Sequence, residues 1–107
     1  MAIVVNVAVP SDKAQELAKA ILEQRLCACI NIVGGVESHF WWKGKIDTVN
    51  EAILIIKTKD ALFPKLKVFV ENNHPYDIPE VIAFKIDQIN TNYMEWLNRE
   101  ANAAPFT

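Results

Sequence analysis

Four stretches of this chain carry apolar residues in the rhythm of strands, and the segments between them switch to the rhythm of helices. Ile3 to Val9 is β-branched and stops at Pro10, which reads as a buried strand. Ser11 then stands where a helix N-cap belongs. Beyond it Ala14, Leu17, Ala18, Ile21 and Leu22 recur as one apolar stripe, with Asp12, Lys13, Glu16, Lys19 and Glu23 facing away. Two apolar arms follow, CINIVGGVESHFWW from Cys29 and KIDTVNEAILIIKTK to Lys59, with Lys43 and Gly44 between them as the turn of one β-hairpin. Asp60 caps a second helix with the stripe Leu62, Leu66, Phe69 and Val70, and Pro64 sits in its first turn, where it is best tolerated. Asn72, Asn73 and His74 end that helix, and PYDIPE is a Pro-punctuated loop. Val81 to Asp87 predicts the fourth strand. Asn90 or Thr91 opens a last helix with Tyr93, Met94, Trp96 and Leu97 on its apolar side, and the tail after Arg99 is expected to fray.

The predicted order is strand, helix, strand, strand, helix, strand, then a terminal helix. It points to an α+β fold, a ferredoxin-like βαββαβ sandwich over residues 1–107 as one domain, with two helices on one face of an antiparallel sheet. Val4, Ala8, Ile82, Phe84 and the run Ile53 to Ile56 are apolar on both parities, so the helix-free face of that sheet is not patterned for water. The hairpin raises the same issue. At ~3.3 Å per residue a regular 14-residue arm reaches roughly 46 Å, whereas a domain of this length is about 34 Å across. An arm tipped by Phe40, Trp41 and Trp42 would then overhang its own domain, and burial of that apolar surface calls for another chain. Alternatively, a bulge at Gly34 and Gly35 could kink the arm back onto its own domain.

The chain has 107 residues, 51% of them hydrophobic and 22% charged, enough for one compact core and too few for two domains. Its formal charge of -2, with no basic block, disfavours binding driven by phosphate neutralisation. The first and third strands also lack the aromatics on which RNA recognition modules stack bases, so a nucleic-acid partner is not expected. No apolar run approaches the ~20 residues of a membrane span, and the N-terminus resembles no leader. A cytosolic, unprocessed protein without a membrane partner is expected. Cys27 and Cys29 sit too close on an extended chain to bond comfortably, which also suits a reducing compartment.

Catalytic patterns are absent: no nucleophile elbow, no glycine-rich phosphate loop, no HExxH. Only Arg25 and Arg99 supply guanidinium groups, both on predicted helices. We therefore expect a binding protein rather than an enzyme, with no organic cofactor. Cys29, His74 and Glu80 offer a thiolate, an imidazole and a carboxylate, the donor types that hold copper or zinc. Each has a plainer reading: Cys29 as a small buried hydrophobe, His74 as a cap on the last helical carbonyls, Glu80 as an edge charge. Cys27 lies near the helix exit and ranks behind Cys29. Lys57 and Lys59 alternate onto one face and with Lys85 could hold an anion, or serve as solvated lysines that discourage edge pairing. His39 beside the aromatic tip reads as interfacial or exposed, and Tyr93 with Trp96 as core of the last helix.

At CINIVGG, FWWKGKI, ILIIKTK, HPYDIPE and Tyr93 with Trp96 and Leu97, the chain resembles the CutA-type divalent-cation-tolerance proteins, from the first strand to about Leu97. The resemblance implies a ferredoxin-like subunit in a tight homotrimer, similar in architecture to the PII signalling proteins, with the long hairpins in the contacts between subunits. It implies Cu(II) or another divalent ion as ligand and Cys29, His74 and Glu80 as the associated residues, with a role in cation tolerance and metal homeostasis. It gives no counterpart for Cys27. A second expectation stands beside it: a trimeric PII-like sensor of a small ligand, or a protein-anchoring scaffold, in which metal binding is incidental.

Overall fold

The computed structural model describes residues 1–104. Strand β1 (Ala2–Pro10) leads through a 3-10 turn, Ser11–Lys13, into helix α1 (Ala14–Glu23). Strands β2 (Cys29–Trp42) and β3 (Lys45–Lys59) form the hairpin, and a second 3-10 turn, Asp60–Leu62, opens helix α2 (Phe63–Asn73). Strand β4 (Ile82–Lys85) and helix α3 (Thr91–Glu100) follow. The sheet order is β2-β3-β1-β4, with each neighbouring pair antiparallel. This is the ferredoxin-like arrangement the periodicity predicts.

The register assigns every strand residue to a face. Val5, Val7 and Val9 of β1 pair with Ile56, Leu54 and Ala52 of β3, and all six are buried with Leu17, Ala18 and Ile21 of α1 and Leu66 and Val70 of α2. The alternate residues, Val4, Asn6 and Ala8 beside Lys57, Ile55 and Ile53, form the opposite face, where β4 adds Ile82 and Phe84. Ile82 and Phe84 are about half exposed at 48% and 53%, while Ile53 and Ile55 are half-buried. An apolar face carrying no helix over its centre is thus a property of the subunit, as the double-parity pattern implies.

Several local expectations change. No side chain caps any of the three helices: Ser11 and Asp60 stand in the 3-10 turns, and the Asp60 carboxylate instead meets the N-terminal ammonium at 3.4 Å. Leu22 is exposed rather than part of the buried stripe of α1. Strand β4 is four residues long, shorter than Val81 to Asp87, because the ladder with β1 covers only Ile82–Lys85, with one further bond from the Ile86 amide to the Ala2 carbonyl at 3.1 Å. The segment after Arg99 is docked as far as it is described: Ala101 is buried, the Ala103 amide donates to the Arg25 carbonyl at 3.0 Å, and Lys65 reaches the Ala104 carbonyl at 2.9 Å. The rest of the tail expected to fray lies outside the described residues.

The register of the hairpin slips between Val33 and Val36, where Gly35 takes φ +71°, a conformation that costs a residue bearing Cβ about 1–2 kcal/mol. The predicted bulge is therefore present. It does not fold the arm back: pairing resumes at Val36↔Glu51 and continues to Trp42↔Lys45. The arm gives the subunit a long axis of 45 Å against 29 and 22 Å for the others.

Candidate functional site

Two groups of polar side chains lie toward opposite ends of the sheet. Cys29 pairs with Lys57, which pairs with Val4, so this corner lies where β2 begins and β3 ends. The Lys57 ammonium is 4.0 Å from the Cys29 sulfur. Helix α3 closes the corner: Lys59 donates to the Asn98 carbonyl at 3.3 Å, and Tyr93, its ring tilted by 40° against that of Trp96 at 5.3 Å, lies beside Cys29. Burial, and then the sulfur beside it, push the Tyr93 phenol above its ordinary range. Cys29 is half-buried and reachable, whereas Cys27 belongs to the core and burial pushes its thiol up to about 12. The two thiols are free.

The second group sits at the other end, where β1 runs out. His74 is buried, with Nε2 2.7 Å from the Ala8 carbonyl and Nδ1 accepting the Tyr76 amide at 3.1 Å. A carbonyl can only accept and an amide can only donate, so this pair of bonds selects the neutral Nε2–H tautomer and occupies both ring nitrogens. Tyr76 lies 4.8 Å from the His74 ring and donates its hydroxyl to Glu51 at 2.9 Å. Glu51 is only 5% exposed, on β3 opposite Pro10 and Val36. Glu51 and Tyr76 were not singled out by the sequence reading. The available signal was a lone carboxylate at the head of a run apolar on both parities.

The candidate ligands Cys29, His74 and Glu80 are not brought together within one subunit. His74 bonds at Ala8, four residues along β1 from the row of Cys29, a distance of about 13 Å. Glu80 is exposed in the loop before β4. Among the described residues no group of three or more His, Cys, Asp and Glu could hold a metal. A closed site inside one chain does not fit these residues. The lysines divide as well. Lys57 and Lys59 share the helix-free face, but Lys85 pairs with Ile3, whose parity is that of the core, so it projects to the opposite side. His39 is exposed on the arm, 2.7 Å from Glu37 and 3.1 Å from Thr48. Phe40 and Trp42 lie on one side of the arm and Trp41, 72% exposed, on the other.

Residues 3–100 match the family described as CutA1 divalent ion tolerance protein. The chain belongs to that family. It is 44% identical over 95 residues to the divalent-cation tolerance protein CutA of Thermus thermophilus, covering 88% of this chain and 92% of that one. It is 50% identical over 96 residues to the chloroplastic protein CutA 1 of Oryza sativa, covering 89% of this chain and 54% of that protein. The chain thus spans about half the length of the plant and mammalian relatives it matches. The crystal structure of CutA1 from Oryza sativa superposes with a TM-score of 0.92 at 45% identity, over 96% of this chain and 95% of that one. The expected cytosolic location has no uniform support among relatives: two plant proteins are named chloroplastic, and the CutA of Archaeoglobus fulgidus is called periplasmic. No helix among the described residues is long and apolar enough to cross a membrane.

One consequence for pH concerns Tyr76, whose phenol is pushed up to about 12 by burial first and then by the hydrogen bond and charge of Glu51. The fold holds this proton more tightly than the unfolded chain, so its contribution to stability is complete below pH ~10 and is lost as pH rises through about 12. Cys27 acts in the same direction from its ordinary value of 9.0 upward. Thermal midpoints measured from pH 9 to 12 should fall less steeply in Tyr76→Phe than in the wild type. Parallel curves would show that the Tyr76–Glu51 bond contributes nothing.

Proposed function

We propose that this chain is a cytoplasmic, non-enzymatic subunit of a homotrimer that binds divalent metal ions, copper foremost, in cation tolerance and metal homeostasis. The observation that carries this reading is Cys29: of the two thiols, it is the half-buried one that solvent can reach, in a chain whose residues 3–100 match the family. A soft ligand reachable from solvent selects copper over hard ions. Because one subunit does not gather the remaining donors, the ion is completed from His74, Glu80 or other donors only when subunits assemble or the loop after α2 rearranges. His74 can join only by releasing the Ala8 carbonyl or the Tyr76 amide. Native mass spectrometry of the reduced, metal-free protein titrated with Cu(II) and Zn(II) tests both parts. The expected result is a trimer that takes up copper in stoichiometric amounts, and a trimer with only nonspecific adducts would overturn the metal assignment.

One feature supports the second reading, a PII-like small-ligand sensor or scaffold in which metal binding is incidental. The ammonium of Lys57 stands beside Cys29, where it opposes an arriving cation and attracts an anion. The anion version predicts that phosphorylated metabolites or nucleotides raise the thermal midpoint. A panel of such compounds without any shift would remove it.

A further inference from the structure

Glu51 is a carboxylate only 5% exposed, and its side-chain partner within the described residues is a neutral hydroxyl rather than a cation. Its Oε2 accepts the Tyr76 hydroxyl, and among the described residues no Lys, Arg or His forms an ion pair with it. A carboxylate so placed is costly unless a cation neutralises it. The missing cation is not a metal held by this chain, since no cluster of ligating side chains surrounds Glu51 among the described residues.

The register shows where a cation is offered. Along β3 the residues of one parity, Lys45, Asp47, Val49 and Glu51, share a side with their partners Trp42, Phe40, Ser38 and Val36 on β2, and the same parity continues into Ile53 and Ile55 of the helix-free face. A strip that is apolar at Trp42, Phe40, Val49, Val36, Ile53 and Ile55 thus runs from the arm's tip onto the sheet, with Lys45 and Asp47 toward one end and Glu51 near its middle. Lys43 is already occupied over the Trp42 ring at 5.9 Å, whereas Lys45 is exposed and forms no ion pair among the described residues. Glu51 lies six residue steps along the strand from Lys45, about 20 Å, so they cannot meet within one chain.

We propose that the Lys45 ammonium of a second copy closes on Glu51 when the arm of one subunit lies on the sheet face of the next. The pair fixes the register of an otherwise slippery apolar contact, because an arm displaced along the strip leaves a carboxylate buried without its cation. This rests on the proposed trimer and specifies the charge pairing that sets its geometry.

A zero-length carbodiimide tests the contact on the unsubstituted 107-residue chain, because it joins only a carboxylate and an amine that touch. Trimers reassembled from unlabelled and 15N-labelled chains should yield a Lys45–Glu51 cross-linked peptide containing one chain of each label. Lys45→Met and Glu51→Gln should each raise the subunit dissociation constant by about 30-fold, and the double variant should be no weaker than either single one. Native mass spectrometry separates the failures. A trimer in which Glu51 cross-links elsewhere or not at all, with the two substitutions additive, overturns this pairing and leaves the trimer standing. Magnesium or zinc raising the thermal midpoint of Lys45→Met but not of Glu51→Gln would assign the site to a metal and overturn the pairing. A monomer overturns both.

Discussion

Truncating Trp42 to alanine should separate the subunits of the proposed trimer while leaving each one folded. Trp42 lies near the arm's tip at 38% exposure, outside the buried cluster formed by β1, β3, α1 and α2. Removing the ring therefore opens no cavity in that core, and the circular dichroism and cooperative unfolding of the chain should persist. In the proposed trimer its worth is realised between chains. The ring shares a side of the arm with Phe40 and leads into the apolar strip toward Ile53 and Ile55, and aromatic anchors in such a position carry about 2–4 kcal/mol of a contact. The subunit dissociation constant should rise by roughly 30- to 1,000-fold, read by mass photometry or sedimentation across a dilution series. Trp41, on the opposite side of the arm, should cost less. A dilution profile for Trp42→Ala that overlays the wild type would remove the arm from the interface.

If the proposed function holds, replacing Cys29 with serine should leave the proposed trimer intact and abolish most of the proposed copper binding. Serine fits the same volume and keeps a group that can hydrogen-bond to Tyr93 and Lys57, so the corner between β2, β3 and α3 should survive. A hydroxyl is a poor ligand for a soft ion at neutral pH, whereas loss of a group one shell further out already costs 10- to 100-fold in metal affinity. Copper affinity should therefore fall by about 100-fold or more, measured by competition with a chromophoric chelator. Equal affinity in Cys29→Ser and wild type would dismiss the thiol as a ligand. His74→Ala is a poor companion experiment. It breaks the bonds to Ala8 and Tyr76 together, and a loss of affinity could not be told from a loss of the loop's anchorage.

What could be read without coordinates was whatever depends on local periodicity. The alternation in IVVNVAV, the double-parity run Ile53 to Ile56, the stripes of α1 and α2 and the turn at Lys43 and Gly44 each state a local preference, and together they leave the ferredoxin-like order as the consistent assembly. Gly34 and Gly35 announced the bulge because a glycine tolerates the positive φ found at Gly35. The helix starts were less legible. Ser11 and Asp60 have the right chemistry for caps, but the chain spends those residues on 3-10 turns, where their side chains do not bond the first helical amides.

The candidate site was legible only as a set of donor types. Cys29, His74 and Glu80 were chosen by chemistry, which says nothing of where the chain carries them, and the fold places Cys29 and His74 at opposite ends of the sheet. The docking of the last segment on Arg25 and Lys65, and the Glu51–Tyr76–His74 network, are contacts between residues far apart in sequence. Periodicity carries no information about such pairs, because hydrogen-bond partners at long separation are set by strand register and by where a loop lands. Sequence alone determined which faces are apolar and that one of them lacks a helix to cover it. Tertiary structure decided that Lys85 faces away from Lys57, that both nitrogens of His74 are taken, and that a carboxylate is buried at Glu51. The reason is geometric: one residue of register moves a side chain to the other face of a sheet, and only the closed fold fixes that register.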